Sequence, residues 1–267
     1  MRRIPWAVVV AFSAFGFAPI ASAADLPVKA PAAPAPVPFS WTGFYLGGNG
    51  GCGVKNESSS APFVDSDPGP DSFFPFNNKN SGGCFGGVQA GFNYQFTGSS
   101  WVIGIEGDWQ AGRIRSKGSI LEIENSEGLE IEPLATYNSN LKQFATVRGR
   151  LGYSLPSPTI TWLVYATGGW AWGRNEVSGT AFDLAPPNIF SETASISGWV
   201  AGAGIEAAIN RNWSLKFEYL YLDFGNNTYN SFLVSDDGAT PGALSLHTKV
   251  HTLRLGFNYR FGDMWVR

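Results

Sequence analysis

The sequence predicts an all-β protein, an eight-stranded antiparallel up-and-down β-barrel that crosses a membrane. Three observations carry this expectation. Eight stretches alternate, residue by residue, between an apolar face and a polar or small one, the period-two pattern of a strand with unlike sides. Very short and very long connections alternate between them, so every long connection leaves from one end of a meander. Tryptophans gather near the ends of the stretches, at Trp41, Trp101, Trp109, Trp162, Trp172, Trp199 and Trp213, where an interfacial girdle sits. A soluble barrel around an apolar ligand would reverse the two faces.

At the N-terminus, Met1-Arg2-Arg3 precedes an apolar run, Trp6 to Ile20, that ends in the small residues Ala21-Ser22-Ala23. This predicts a secretory signal peptide over 1–23, too short and too broken by Pro5, Gly16 and Pro19 to read as a spanning helix. Residues 24–40, rich in Pro and Ala, form an extended tether, because proline supplies no backbone donor. The barrel is expected over 41–267. Removing Arg2 and Arg3 from the 18 basic residues leaves 16 against 21 acidic ones, so the mature chain is acidic and nucleic acid is not an expected partner.

The first alternating run, Trp41 to Val54, sets Phe44 and Leu46 against Tyr45 and Asn49. The second, Cys84 to Phe96, sets Val88, Ala90, Phe92 and Tyr94 against small or amide residues. The third, Trp101 to Arg113, faces Ile103, Ile105 and Trp109 away from Glu106, Asp108 and Gln110. The fourth, Leu141 to Leu155, faces Val147, Leu151 and Tyr153 away from Arg148 and Arg150. In the fifth, Thr161 to Arg174, Trp162, Val164 and Trp170 oppose Tyr165 and Thr167, with Leu163 breaking the pattern. The sixth, Ile196 to Asn210, sets Trp199, Ala203 and Ile205 against Glu206; the seventh, Trp213 to Asp223, sets Leu215, Phe217 and Tyr219 against Lys216 and Glu218. The eighth ends at Phe261, with Leu253, Leu255, Phe257 and Tyr259 on one side and Arg254, Asn258 and Arg260 on the other. Thr97 to Ser100, Pro156 to Pro158 and Arg211-Asn212 are tight turns. Lys55 to Gly83, Ser116 to Asn140, Asn175 to Ser195 and Gly225 to His247 are expected as four long extracellular loops.

The last run is similar to the insertion signal that closes bacterial outer-membrane barrels. Arg254, Gly256, Tyr259 and Phe261 take its positions, although Gly262 to Arg267 follow where the signal usually ends a chain. A wider resemblance is carried by the Ala-Pro tether, WTGFYLGGNGG, ATVRGRLGY, YATGGWAWGR, NWSLKFEYLYLDFG and LRLGFNYRF. Together these segments resemble the small porin-like outer-membrane proteins and surface antigens of alpha-class Gram-negative bacteria. That likeness implies an eight-stranded barrel related to the membrane half of the OmpA-like proteins, with no catalytic residue. It also implies outer-membrane lipids and the outer-membrane assembly machinery as partners, and an N-terminus left in the periplasm after cleavage.

The chemistry lies in charges on the expected inner face: Glu106, Asp108, Arg148, Arg150, Glu206, Lys216, Glu218, Arg254 and Arg260. An eight-stranded barrel has an interior just wide enough for side chains, so these ions are expected to pair as a polar plug with water-filled pockets. Cys52 and Cys84 flank the first long connection in an oxidising compartment, and both a disulfide and two free thiols fit the sequence. His247 and His251, spaced by four on a strand, stand about 13 Å apart, too far to chelate one ion. GGNGGCG lacks the Lys-Ser/Thr ending of a phosphate loop. No cofactor and no enzyme activity are expected. The sequence points to a structural surface protein or narrow porin of the outer membrane, with an adhesin or receptor for a host molecule, haem or a phage as the alternative.

Overall fold

A computed structural model describes residues 39–60, 76–124, 130–181, 188–233 and 241–261. The expected signal peptide, residues 24–38 of the expected tether, the central parts of the four long connections and residues 262–267 lie outside the described residues. The described residues form nine antiparallel strands: β1 Gly43–Ser60, β2 Phe76–Lys79, β3 Ser81–Gln95, β4 Trp101–Glu124, β5 Glu130–Leu155, β6 Thr161–Ala181, β7 Asn188–Ala208, β8 Trp213–Leu233 and β9 Pro241–Arg260. Eight of them close a ring, because β4 pairs with both β3 and β5 while β1 pairs with both β3 and β9. The short β2 lies on the same edge of β4 as β3, with Phe76 to Lys79 opposite Ile120 to Lys117. The barrel therefore has eight staves, one of them interrupted at Asn80.

Register fixes the shape of the ring. Following paired residues from Ile205 through Phe217, Leu255, Gly50, Gly86, Ala111, Gln143 and Arg174, the path returns to β7 at Ser195, ten residues from its start. For eight strands that stagger sets a tilt of about 40°, so each residue climbs about 2.5 Å along the barrel axis. The outward apolar face of β4 runs from Trp101 to Ala111, a height of about 25 Å, as a bilayer's hydrocarbon requires. Two aromatic levels bound this band. Trp101 packs edge-on against Tyr153, and Trp213 stacks on Phe257 near the tight turns, while Trp199 packs on Tyr221 at the other end.

All strands continue well past the band, which corrects the expected long loops. Most residues of the stretches 116–140, 175–195 and 225–247 are strand, as are 55–60, 76–79 and 81–83 of the first. The reason lies in the phase of the alternation. Within the band, apolar side chains face out and polar ones face in. Above it the sides exchange roles: Ala135, Tyr137, Val177, Phe190, Tyr229, Leu244 and Leu246 form an inward-facing apolar cluster, while Arg115, Lys117, Glu176 and Lys249 face out. A strand leaving lipid for water loses any need for an apolar outer face, but its inner face must still exclude water.

The interior is consequently layered. Nearest the tight turns Trp41, Val102, Leu163, Tyr165 and Ala208 form an apolar floor. Leu163, the residue that breaks the alternation of its run, belongs to this floor. Charged residues fill the next level. A second apolar layer includes Phe85, Ile114, Leu141, Phe144, Leu222 and Val250, and above it Lys55 and Glu57 lie buried among Ser116, Ser139, Asn175 and Thr248. The upper apolar cluster closes the stack.

Candidate functional site

The charged level sits at mid-height of the apolar band, and strand register brings its members together. Glu106 on β4 is paired with Arg148 on β5, Glu206 on β7 with Lys216 on β8, and Glu218 on β8 with Arg254 on β9. All point inward because each sits one residue out of phase with a lipid-facing neighbour such as Ile105, Val147 or Phe217. Glu106, Lys216 and Glu218 are completely buried. Four carboxylates, Glu106, Asp108, Glu206 and Glu218, meet four cations, Arg148, Arg150, Lys216 and Arg254. The cluster is neutral, the condition under which ions survive removal from water.

Arg148 is the hub. Its Nη2 donates to Glu106 at 2.5 Å and to Asp108 at 2.8 Å, while Nη1 lies 2.9 Å from Glu218. Thr146 accepts from Arg148 Nε at 2.9 Å and donates to Asp108 at 2.6 Å. Lys216 Nζ donates to Glu106 at 2.7 Å. In the ring order β1, β3, β4, β5, β6, β7, β8, β9, the strands β4 and β8 are diametrically opposite, so this contact crosses the full width of the lumen.

Neutral side chains complete the level. Tyr45 donates to Glu106 at 2.7 Å and accepts from Arg150 at 2.8 Å. Arg150 reaches Glu206 at 2.9 Å and stacks 3.9 Å over the ring of Tyr165, whose hydroxyl donates to Glu218 at 3.0 Å. Glu206 also accepts from Ser214 at 2.5 Å and Asn258 at 2.9 Å. Arg254 approaches Asp108 at 3.2 Å, and its guanidinium lies 5.4 and 5.5 Å from the rings of Phe85 and Phe144, which pack edge to face on each other. A Cβ on Gly256 would fall 2.9 Å from the Lys216 chain, so glycine there gives Lys216 the room to cross. Gly91 makes the same allowance for Tyr45, whose hydroxyl lies 2.3 Å from where a Cβ would stand.

Arg260 stands apart from this cluster. It lies at the turn end, donating to the Ser40 carbonyl at 2.9 Å and the Arg211 carbonyl at 2.7 Å, with its guanidinium 4.2 Å over Phe39. Phe39 and Ser40, the last residues of the expected tether stretch, thus already pack on the barrel. Tyr259 and Phe261 face outward and touch edge to face, and the Phe261 amide donates to the Phe44 carbonyl at 2.9 Å. Cys52 and Cys84 lie opposite each other in register and are joined by a disulfide. His247 contacts Asp223 at 2.9 Å and His251 contacts Tyr219 at 2.8 Å.

A second polar level escaped the sequence reading. Lys55 donates to Ser139 at 2.6 Å and to Asn175 at 2.8 Å, and pairs with Glu57 at 2.8 Å. Since β1 and β6 are also diametrically opposite, Lys55 spans the lumen a second time. Glu57 in turn accepts from Ser116 at 2.8 Å and Ser139 at 2.8 Å. The signal was available: Lys55 and Glu57 continue the odd-numbered phase of Tyr45 and Asn49, past the point where the outward apolar face ends.

The chain is 38% identical over 267 residues to the 31 kDa outer-membrane immunogenic protein of Brucella melitensis, covering 95% of this chain and 99% of the relative. It is 29% identical to the 25 kDa outer-membrane immunogenic protein of Brucella abortus, covering 98% and 100%, and 29% identical to a 22 kDa outer membrane protein of Rhizobium leguminosarum, covering 87% and 82%. Among solved structures, OprG of Pseudomonas aeruginosa aligns at 16% identity and a TM-score of 0.44, covering 82% of this chain and 96% of that one. The model of the outer membrane protein beta-barrel domain matches residues 12–261, and the chain belongs to that family of outer-membrane barrels.

Proposed function

We propose that this protein is a closed outer-membrane scaffold, a structural surface protein whose charge-paired lumen admits at most small ions, rather than a diffusion porin. One observation carries the reading: the Lys216–Glu106 contact joins opposite walls of the barrel at 2.7 Å, at mid-height of the apolar band. Bulk solutes cannot pass a level crossed by bonded side chains that are themselves buried. The Lys55–Asn175 bond repeats the crossing above it. In this reading the N-terminus remains in the periplasm with the tight turns, and the extended strands rise from the cell surface.

Conductance across a planar bilayer tests it. Mature protein, refolded and inserted, is expected to pass small ions poorly and sugars not at all. Large, sugar-permeable conductance would overturn the closed scaffold and favour a porin.

A second reading, an adhesin or receptor, draws on the strands that continue past the band on every stave and on their inward apolar cluster. These give the four connections a rigid platform on which to present a binding surface. Host molecules, haem and phage are the ligand classes to screen, using cells that display the intact chain and cells whose connections have been replaced.

A further inference from the structure

Charge on the outer wall is strongly uneven. Among the described residues, the outward faces of the strands carry no charge anywhere between the tight turns and the upper aromatic level. Immediately beyond it, six exposed basic side chains gather on four neighbouring strands: Lys79 on β2, Arg113, Arg115 and Lys117 on β4, Lys142 on β5 and Arg174 on β6. Among the described side chains, the one acid facing out with them is Glu176, held by Lys142 at 2.5 Å. Lys79 and Lys117 are direct cross-strand partners, an arrangement of like charges that costs stability unless an anion lies between them. Lys142 is the extra residue of a bulge in β5 against β6, which turns it outward beside Arg174. At the same height the other staves present Ser195 on β7, Val54 and Asn56 on β1, and Asp223 on β8, with a single basic residue, Lys249 on β9, paired in register with Asp223.

Height relates the patch to the membrane. Arg174 follows Trp172 by two residues and Arg113 follows Trp109 by four, placing them about 5 and 10 Å further from the bilayer centre than those tryptophans. That is the headgroup zone, which adds roughly 5–8 Å to each side of the hydrocarbon. Arg115, Lys117 and Lys79 stand further out. Below the patch, in the same strands, Gly149 and Gly168 are paired and face the lipid, leaving a shallow trough in the wall. A Cβ at either would meet its nearest neighbour at 3.6 Å or more, so internal packing does not require glycine there.

We propose that this patch binds a multiply phosphorylated lipid of the surrounding leaflet, with its phosphates on Arg113, Lys142 and Arg174 and an acyl chain in the Gly149–Gly168 trough. Arginine forks suit phosphate oxygens, and the outer tier, Arg115, Lys117 and Lys79, meets the anionic groups of a headgroup that projects from the membrane. A lipid is favoured over a soluble anion because the patch lies on the lipid-facing wall, and the trough, six residues down β6 from Arg174 and about 15 Å below it, is within reach of an acyl chain. The inference rests on the outer-membrane reading, but not on whether the lumen is closed.

Full mature protein in phosphatidylcholine nanodiscs doped with diphosphoryl lipid A, with phosphatidylglycerol, or supplied with inorganic phosphate tests the site by mass-spectrometric measurement of retained lipid. Wild type is expected to retain lipid A in preference to phosphatidylglycerol. Combining Arg113→Gln, Lys142→Gln and Arg174→Gln should weaken retention on the order of a hundredfold, about fivefold per charge, while Lys249→Gln on the distant β9 leaves it unchanged. Glu176→Gln should strengthen retention by freeing Lys142, a gain that misfolding cannot imitate. Equal retention by the folded triple variant, no gain with Glu176→Gln, or displacement of the lipid by inorganic phosphate would each overturn the proposal.

Discussion

Arg148→Ala tests whether the interior is held by charge compensation. Arg148 contacts Glu106 at 2.5 Å, Asp108 at 2.8 Å and Glu218 at 2.9 Å, and all four side chains are buried. Its removal leaves four carboxylates facing three cations. Breaking a buried ion pair from one side costs about 3–5 kcal/mol, most of it from the charge left behind. The expected loss is of that size, approaching the lower figure if water fills the space vacated by the guanidinium. Urea titration of refolding into phospholipid vesicles, read by the heat-dependent gel mobility of folded barrels, measures it. Adding Glu218→Gln restores neutrality at three against three, so the double variant should recover about 1–3 kcal/mol relative to the sum of the single changes. A single-variant loss below about 1 kcal/mol, or strict additivity in the double, would refute compensation and leave a hydrated interior in which charges contribute little.

Val88→Arg, near the middle of the lipid-facing band, should cost about 2–4 kcal/mol in the same titration, whereas Ser195→Arg, outward but above the band, should cost at most about 1 kcal/mol; equal costs would mean the band is misplaced. Replacing Cys52 and Cys84 by Ser opens a bridge with a sequence separation of 32 and should lower stability by about 3–4 kcal/mol on the chain-entropy account. Thiol labelling of unreduced wild type should find no free cysteine, and efficient labelling would count against the bond. Phe261→Ala, which removes an outward aromatic packed on Tyr259, should slow assembly in vesicles more than truncation after Phe261 does. The reverse order would displace the closing signal towards the C-terminus.

Much of the barrel was legible because lipid and a narrow lumen impose opposite demands on alternate residues. Ile103, Ile105 and Trp109 could be separated from Glu106 and Asp108 by parity alone, and the strand order then placed Glu106 beside Arg148. The upper half was not legible in the same way. Its signal is the reverse one, apolar inside and polar outside, as at Tyr229, Leu244 and Leu246, and it begins on the same strands where the first pattern stops. A reader following apolar outward residues sees each strand end at the membrane surface and assigns the remainder to loops. Cross-lumen partners were also beyond reach: parity says that Lys216 and Glu106 both face in, but only the ring of eight and its stagger put them across a diameter. The disulfide is not legible for a related reason, since one residue of register decides whether Cys52 and Cys84 face each other.

The charged level does something for the fold that an apolar filling could not. A strand apolar on both faces has no preferred side and no preferred register, whereas these strands are committed on both counts. Sliding β4 by one residue against its neighbours would turn Glu106 and Asp108 into the hydrocarbon near mid-bilayer, where exposing a charge on the lipid face is most costly, and would strip both of their buried partners. Sliding by two residues keeps the faces correct but parts Glu218 from Arg254 on β9 and Lys216 from Glu206 on β7 when β8 is the strand that moves. The penalty for both errors falls at mid-height, where water is least available to relieve it. Burial in the apolar layers above and below then supplies stabilisation that is largely indifferent to register, since Leu, Ile and Phe tolerate one another as neighbours. Specificity and stability are thus assigned to different levels of one interior.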